Sequence, residues 1–246
     1  AELDRLTAAV AGDGTVVVEP REGVAEAVQV DGRPVLGDRV AGRRGRLVDR
    51  RGRLQALAVL GEEREQPLRD GLGRVFERVR ADAVDAIESG TEILVLSDRA
   101  TGPDRVPVPS LLATGAVHHH LVRKGLRNRA GLVVESGDPR AVHHVATLVG
   151  YGAGAVNPYL AYQSIADLVA GDDGAELSTA IDAYVGALED GLLKTMAKMG
   201  ISTVESYRGA QIFEAVGLAS DFVAEYFQGT TARTEGIGID GVEEDL

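Results

Sequence analysis

The sequence predicts an α/β fold: mainly parallel βαβ units of an incomplete barrel-like or open sheet, followed by a helical connector. From Pro67 onward, segments with apolar residues at helical spacing alternate with short apolar runs. Three such runs, Ile93–Leu96, Leu132–Glu135 and Ala155–Pro158, are separated by segments long enough for a helix. Strands that alternate with helices are typical of a parallel sheet with helical crossovers.

Five helices are predicted from apolar spacing and from residues that start or stop helices. In the first, apolar residues recur at helical spacing and Gly90 follows as a C-cap, while the third begins with Asp138 as cap and Pro139 in its first turn. The predicted helices are Leu68–Ser89, Ser110–Leu126, Pro139–Val149, Glu176–Glu189 and Ser206–Val216. We expect a turn at residues 171–174 and a loop from residue 229 to residue 238.

Composition excludes several classes of function. The net charge of −12 argues against nucleic acid as the main partner, because phosphate binding needs a basic surface. The chain has no cysteine, which rules out disulfides, a thiol nucleophile and a cysteine-held iron–sulfur cluster within it. No run of 18 apolar residues and no signal-like start are present, so we expect a cytoplasmic protein without a membrane partner.

Arginine and histidine are unevenly distributed. Eight arginines fall between Arg33 and Arg53, and this segment is interpreted as an anion or RNA patch or, with more weight, as a solvated surface of hairpins. The histidines are confined to residues 118–120 and 143–144. Three consecutive rings on a helix cannot reach one metal, although His120 and His144 could face each other across two helices. We favour structural histidines and predict no metal site.

Polar residues follow two of the predicted strands, at the edge where open α/β sheets and barrels bind ligands. The group Ser97–Asp98–Arg99 comes at the end of the first strand, and the group Glu135–Ser136–Gly137 comes at the end of the second. For Asp98 and Arg99, a ligand-binding role and a turn or capping role are equally open. For Ser136 we favour capping. No residue is singled out as catalytic.

The stretch from Lys194 to Ser202 combines cations with backbone amides. Lys194 and Lys198, four residues apart, share a helix face, and a glycine and Ser202 follow them. Such a group suits a phosphate, and Arg208 and Gln211 on the next predicted helix could add to the same face. An exposed basic helix end is an equally good interpretation.

Long collinear strings in this sequence resemble the large (alpha) subunit of glutamate synthase. ILVLSDR (93–99), VPSLLATGAVHHHLVRKGLR (108–127), GLVVESGDPRAVHH (131–144) and GYGAGAVNPYLA (150–161) resemble the end of its central domain. LLKTMAKMGISTVESYRGAQIFEAVGL (192–218) and FQGTTARTEGIGID (227–240) resemble the passage into its FMN-binding synthase domain. The resemblance covers residues 67–240, whereas residues 1–65 are not matched to the family.

The resemblance implies an oxidoreductase of glutamate biosynthesis. In this family ammonia from glutamine travels through a tunnel to an FMN site, where 2-oxoglutarate is converted to glutamate. Electrons arrive through an iron–sulfur cluster, from a small electron-donating subunit or from ferredoxin. Because the chain has no cysteine, it lacks both the glutaminase nucleophile and the cluster ligands. The resemblance therefore implies a connecting piece that is inactive alone and whose partners are the remaining glutamate synthase domains.

By the same resemblance, residues 66–165 are the C-terminal part of the central domain, and residues 166–246 are a connector and the start of the synthase domain. Residues 1–65 are unassigned and rich in strands and turns. The predicted FMN contacts are Lys198, Ser202, Arg208 and Gln211. One alternative is a non-catalytic α/β scaffold or partner-binding domain descended from the family, and another is a small independent flavoprotein.

Overall fold

The computed structural model describes residues 7–10, 16–19, 54–58, 60–62, 71–103, 105–170 and 176–246. Its strands are β1 (Thr7–Val10), β2 (Val16–Glu19), β3 (Leu54–Ala58), β4 (Leu60–Glu62), β5 (Ile93–Ser97), β6 (Arg105–Pro107), β7 (Gly131–Glu135), β8 (Ala155–Asn157), β9 (Glu214–Leu218) and β10 (Thr231–Ile237). Its α-helices are α1 (Gly71–Glu88), α2 (Ser110–Arg123), α3 (Val142–Gly150), α4 (Tyr159–Val169), α5 (Leu177–Lys198), α6 (Val204–Tyr207), α7 (Ser220–Tyr226) and α8 (Ile239–Glu244).

Six of these strands form one open sheet in the order β1–β2–β8–β7–β5–β3. The four strands β3, β5, β7 and β8 are parallel, whereas β2 runs antiparallel to β8 and β1 antiparallel to β2. Helix α1 links β3 to β5, and helices α2 and α3 make the next two crossovers. The predicted α/β class, with parallel βαβ units followed by helices, is therefore confirmed.

Strand side chains alternate between the two faces of the sheet, and α1, α2, α3, α5 and α6 pack against the same set of them. Leu94, Leu96 and Leu132 join the core formed by α1 and α2. Farther along the sheet, Val134 and Val156 join a second core with α3, α5 and α6. Each fully buried aliphatic side chain of these cores stabilises the fold by roughly 1.5–3 kcal/mol. The opposite face carries a small separate cluster around Val95.

Four helices end in the same way, each with a glycine at positive φ whose N–H bonds to the carbonyl three residues back. The following N–H bonds to the carbonyl five residues back, which completes a Schellman motif. These glycines are Gly90 after α1, Gly125 after α2, Gly152 after α3 and Gly200 after α5. The predicted C-cap Gly90 is confirmed. Helix α2 ends before Gly125, a little earlier than the predicted end at Leu126, and Gly152 follows the end of α3.

The predicted cap of the third helix is wrong, because Asp138 caps a different helix. Helix α3 begins at Val142 after an extended Ala141, without a side-chain cap. The Asp138 carboxylate instead accepts a hydrogen bond of 2.9 Å from the backbone N–H of Ser110, the first residue of α2. This N–H has no partner inside its own helix, so Asp138 ties the β7–α3 loop to the start of α2.

The predicted helix Ser206–Val216 and the predicted loop at residues 229–238 are also wrong. Only Val204–Tyr207 is helical; the backbone is extended at Arg208 and has φ values of 71° at Gly209 and 55° at Gln211. Residues of β9 then pair in parallel with β10, which occupies the stretch predicted as a loop. The pairing of two distant segments supplies the hydrogen bonds that a continued helix would have made.

Helix α5 extends beyond its predicted end at Glu189 and reaches Lys198. Helix α8 follows β10, although no element was predicted there. The arginine-rich segment 33–53 and the turn at 171–174 lie outside the described residues, as does the start of the predicted helix Leu68–Ser89. Among the described helices, none is long and apolar enough to cross a bilayer.

Candidate functional site

The carboxyl edge of the parallel strands carries a row of three polar side chains, which we name the carboxyl-edge row. Ser97, Glu135 and Asn157 end β5, β7 and β8 and are register partners, Ser97 with Glu135 and Glu135 with Asn157. Register partners on adjacent strands point to the same face. The row therefore lies on the face opposite α1 and α2, with Val95.

Glu135 is the most deeply buried member of this row, with 1% of its surface exposed. Its carboxylate accepts a hydrogen bond of 2.6 Å from the Ser97 hydroxyl and forms an ion pair of 2.5 Å with Nε of Arg99. The Arg99 guanidinium in turn lies 4.6 Å from the centre of the Tyr159 ring. Both carboxylate oxygens of Glu135 are thus occupied by donors from the chain itself.

Asp98 forms a second closed group at the same edge. The Ser136 hydroxyl donates to its Oδ2 at 2.5 Å, and the Gly137 N–H lies 3.2 Å from both carboxylate oxygens. Burial raises the pKa of Asp98, and the hydrogen bonds from Ser136, Tyr159 and Gly137 oppose that rise. Burial, together with its hydrogen bond to Asp98, also raises the pKa of the Tyr159 hydroxyl.

These contacts show what the polar residues predicted at the strand ends bind. Asp98 binds Ser136 and Gly137 in the loop that follows β7, and Arg99 binds Glu135 at the end of β7, which agrees with a structural role for both residues. Ser136 accepts a hydrogen bond of 3.1 Å from the Asp138 N–H, so it does stabilise its own turn. In the row, Oδ1 of Asn157 is buried and has no hydrogen-bond partner in the described part of the chain.

The opposite, amino edge of the sheet is built around Arg127, which follows α2. Its Nε donates to Nδ1 of His118 at 3.0 Å, and its two Nη atoms donate to the carbonyls of Ala130 and Gly152 at 2.7 Å each. Burial, followed by the positive charge of Arg127, lowers the pKa of His118 to about 3. His118 therefore stays neutral near pH 7 and serves as an acceptor for Arg127.

Gly152 makes this arrangement possible. A Cβ at this position would lie 2.1 Å from Nδ1 of His118, and φ is 111°. A side chain would therefore overlap the imidazole and require a strained backbone. The close approach lets the Gly152 carbonyl reach Arg127.

Arg208 lies at the same edge. Its Nη2 is 3.7 Å from the position that a Cβ on Gly154 would take, at the start of β8. Its Nε is buried and has no hydrogen-bond partner among the described residues. Burial lowers the pKa of Arg208, and burial together with the charge of Arg208 lowers the pKa of Arg127 to about 10. Two guanidinium groups thus share one partly buried edge.

The side chains of the histidines do not come together in one place in the described segments. His118 and His119 make an edge-to-face ring contact, and Nδ1 of His144 accepts a hydrogen bond from the Arg140 N–H. No ring contact or hydrogen bond joins His120 to His144 in the described segments. A search of those segments for three or more metal-ligating side chains in one place finds no group.

The four predicted FMN contacts occupy separate positions. Lys198 is the last residue of α5 and Ser202 lies in the loop after it, both exposed. Arg208 lies at the amino edge, while Gln211 is exposed and its amide nitrogen lies 2.5 Å from where a Cβ on Gly229 would be. No hydrogen bond or ion pair between described residues joins any two of these four side chains. Arg208 and Gln211 do not share a helix face, because the predicted helix is absent.

Sequence reasoning placed Ser97 and Glu135 at the strand ends but missed Arg127, Asn157 and Tyr159. Asn157 could have been found, because it lies near the end of the third predicted strand and parallel strands end at one edge. Arg127 and Arg208 lie far apart in the sequence, and no local signal joins them.

Comparison with known proteins shows to which family the chain belongs. The sequence model of the glutamate synthase central domain matches residues 7–219. The chain belongs to this family. The match includes β1, β2 and β3, and it starts within the stretch 1–65 that the sequence analysis left unassigned.

Individual members of the glutamate synthase family give the same result. The chain is 44% identical over 179 residues to the NADPH glutamate synthase large chain of Bacillus subtilis, covering 72% of this chain and 12% of that protein. It is 46% identical over 178 residues to the NADH glutamate synthase of Schizosaccharomyces pombe, covering 71% of this chain and 8% of that protein. The chain thus spans only about a tenth of these relatives' length.

A third relative is the ferredoxin-dependent glutamate synthase 2 of a Synechocystis strain, 44% identical over 185 residues and covering 69% of this chain and 12% of that protein. Among solved structures, a flavocytochrome b2 variant with benzoylformate aligns with a TM-score of 0.42 and 18% identity, covering 53% of this chain and 31% of that one.

Proposed function

We propose that this chain is the connecting part of a glutamate synthase large subunit, joining the central domain to the start of the synthase domain. The complete enzyme would form glutamate from glutamine and 2-oxoglutarate, and this part would be inactive alone. The observation that carries the proposal is the firm attachment of the C-terminal segment to helices α1 and α2. The segment resembles the beginning of the next domain, yet it packs as part of the central core.

Helix α7 provides the first attachment. Its buried aromatic residues Phe222 and Tyr226 lie in the same core as α1 and α2. The ring centroids of Tyr226 and of Phe76 in α1 are 5.3 Å apart. Gly115 of α2 permits this approach, because a Cβ there would lie 2.3 Å from the Tyr226 carbonyl oxygen. Side chains of this size dominate core energetics, so α7 is held firmly.

Helix α8 provides the second attachment. Glu243 accepts a hydrogen bond of 2.8 Å from the backbone N–H of Leu72, in the first turn of α1. A carboxylate at a helix N-terminus satisfies a free donor and interacts favourably with the helix dipole. The two segments that flank β10 are therefore fixed to α1 and α2, which would set the direction in which the following domain continues.

The parallel pair β9–β10 offers a surface for that continuation. Val216 of β9 is 75% exposed and Ile237 of β10 is 43% exposed. Parallel pairs occur in proteins almost only with both faces covered. Exposed apolar residues on such a pair support the proposal that further domains of the subunit pack here.

The cofactor and the partners belong to the same proposal. FMN would bind in the complete subunit, and Lys198, Ser202, Arg208 and Gln211 remain its predicted contacts in this chain. Of these, Arg208 has the property that a phosphate site needs, a buried donor without a partner in the part of the chain that the structure describes. Electrons would come from a small subunit or from ferredoxin, and the complete enzyme would be cytoplasmic.

A chimera tests the proposal. The matched segment of the Bacillus subtilis large chain is replaced by the corresponding residues of this chain, and glutamate formation is measured with glutamine and, separately, with ammonia. We expect activity with both nitrogen sources at no less than a tenth of the parent rate. A chimera that elutes like the parent and retains its flavin absorbance, yet forms no glutamate from either source, would contradict the proposal.

Two variants of the chimera test whether activity depends on the attachment of α7 to α2. Gly115→Leu would force α7 away from α2, whereas Gly102→Ala changes a glycine with open space around it. We expect Gly115→Leu to abolish activity with glutamine and Gly102→Ala to leave it unchanged. The isolated chain should purify without stoichiometric flavin absorbance; a yellow chain with one flavin per molecule would instead support an independent flavoprotein.

A further inference from the structure

We propose that the amino edge of the sheet binds an oxyanion, a phosphate or carboxylate group, on the guanidinium of Arg208 beside Arg127. The site does not depend on the proposed role in glutamate synthase. It rests on the position of two arginines, the donors that remain free, and the absence of a described counter-charge.

Both guanidinium groups lie near the turn between α3 and β8. Arg127 donates to the carbonyl of Gly152, and Nη2 of Arg208 lies 3.7 Å from the Cβ position of Gly154, two residues later. Each of the three nitrogens of Arg127 already has an acceptor within the chain. Arg127 is therefore a fixed positive charge, while Arg208 is the arginine with free donors.

The donors of Arg208 point to a missing acceptor. Its Nε is buried without a partner, and no hydrogen bond from its guanidinium is found in the described part of the chain. A buried donor left unsatisfied costs on the order of 1–3 kcal/mol, more when the group is charged. The planar fork of a guanidinium matches the two oxygens of a carboxylate or phosphate.

Counter-charge is also missing. Ion pairs between described residues include those of Arg80, Arg99, Arg123 and Arg233, but neither Arg127 nor Arg208 takes part in one. Glu205 is the acid that favours the charged form of Arg208, but it is exposed and makes no ion pair with it. Two partly buried cations without an anion are unfavourable, and an oxyanion between them would remove that cost.

The third polar group of the edge is compatible with an anion. His118 is neutral near pH 7, since its pKa is lowered to about 3. It accepts its hydrogen bond from Arg127, so it holds that arginine in place and does not compete for the donors of Arg208. The edge thus supplies a positioned cation and a free guanidinium, and no acid among the described residues forms an ion pair with either.

Thermal unfolding of the chain in Tris buffer tests the site, with inorganic phosphate as probe and sodium chloride added to keep the ionic strength constant. We expect the midpoint temperature to rise with phosphate and then to level off as the site saturates. Binding at a hundredfold excess over Kd corresponds to about 2.7 kcal/mol. Arg208→Met, which keeps the aliphatic stem, should abolish the phosphate response, whereas Arg233→Met at an exposed arginine should keep it.

Arg208→Lys provides a second variant in case Arg208→Met does not fold. A lysine keeps the charge but lacks the fork, so we expect phosphate affinity to fall by about tenfold. The proposal is wrong if the parent chain responds only to ionic strength, or if Arg208→Met or Arg208→Lys responds to phosphate with the parent's affinity.

The same thermal unfolding experiment with other ligands identifies the source of the oxyanion. A response to acetate as strong as that to phosphate would indicate a carboxylate, such as a side chain of a neighbouring domain. A response to FMN that exceeds the response to phosphate, with none to riboflavin, would indicate the phosphate of a flavin. Each of these responses must disappear in Arg208→Met, and a response that persists there overturns the assignment to Arg208.

Discussion

The two edges of the same sheet contrast in how their buried charges are neutralised. At the carboxyl edge, Glu135 is bonded by Ser97 and Arg99, and Asp98 is bonded by Ser136 and Gly137. At the amino edge, each of the three side-chain nitrogens of Arg127 has an acceptor, whereas Nε of Arg208 has none among the described residues, and both charges are positive. The first edge fixes its loops, whereas the second leaves a donor free for a group outside the described chain.

The contrast shows how buried polar residues can be sorted without knowledge of a ligand. Buried polar groups are nearly always hydrogen-bonded, so a network whose donors and acceptors are all bonded within the chain needs only a structural role to account for it. An unsatisfied one requires either water or a partner. At the carboxyl edge, Oδ1 of Asn157 is an exception, because it has no hydrogen-bond donor among the described residues. One bridging water would supply that donor.

The largest expected effect is that of Gly152→Ala at the amino edge. A Cβ would overlap the His118 ring and would need φ of 111°, so we expect a loss of about 4 kcal/mol in unfolding free energy. Urea unfolding measures it. Gly125→Ala is the matched control, because it also has positive φ but has no neighbour within 4 Å, and it should cost only about 1 kcal/mol. Equal losses in the two variants would show that His118 is not held against Gly152.

At the carboxyl edge, Glu135→Gln should have the next largest effect. The change removes the ion pair with Arg99, and because Arg99 is partly exposed we expect a loss of about 2–3 kcal/mol rather than more. The same urea experiment with Glu88→Gln, an exposed residue at the end of α1, should show a change within about 0.5 kcal/mol. A loss below about 1 kcal/mol for Glu135→Gln would indicate that the network is not closed as described.

The pH dependence of stability tests His118 directly. In the folded chain its pKa is about 3, whereas in the unfolded chain it is close to the ordinary value of 6.5. Between these values only the unfolded state takes up the proton, so stability present above pH 6.5 is lost as the pH falls. From pH 7.5 to pH 5.0 the contribution of His118 is about 2 kcal/mol.

His118→Gln should weaken this dependence by that amount while keeping an acceptor for Arg127. The pKa values of His119 and His120 are also lowered by burial, so the variant should keep a smaller slope of the same sign. Urea unfolding at the two pH values measures the difference. A variant whose slope equals that of the parent would contradict the burial of a neutral His118.

Local patterns were sufficient to predict the βαβ units. The apolar runs of β5, β7 and β8 and the glycines that end α1 and α2 are visible in the sequence, because strand burial and helix termination depend on neighbouring residues. The polar residues at the strand ends were also visible, since chain order places them at one edge. The sequence could not show which of them bind one another.

Long-range pairing accounts for the errors. Residues 206–216 have helical spacing, but pairing of β9 with β10 decides their structure. Asp138 has the sequence position of a cap for α3, but the fold brings it to the start of α2. Arg208 was selected for its place near Lys198, whereas its structural neighbour is Arg127. In each case a contact between distant segments outweighs the local preference.

Comparing Arg208→Met with Glu135→Gln by urea unfolding, in Tris buffer free of phosphate and carboxylates, tests the contrast between the two edges most directly. If the carboxyl edge is closed and the amino edge lacks its anion, the two changes act in opposite directions. Glu135→Gln should lower the unfolding free energy, while Arg208→Met should leave it unchanged or raise it by roughly 1 kcal/mol, because an unpaired buried charge is removed. A loss of about 2 kcal/mol or more in Arg208→Met would show that Arg208 already has its partner within the chain and would contradict this account.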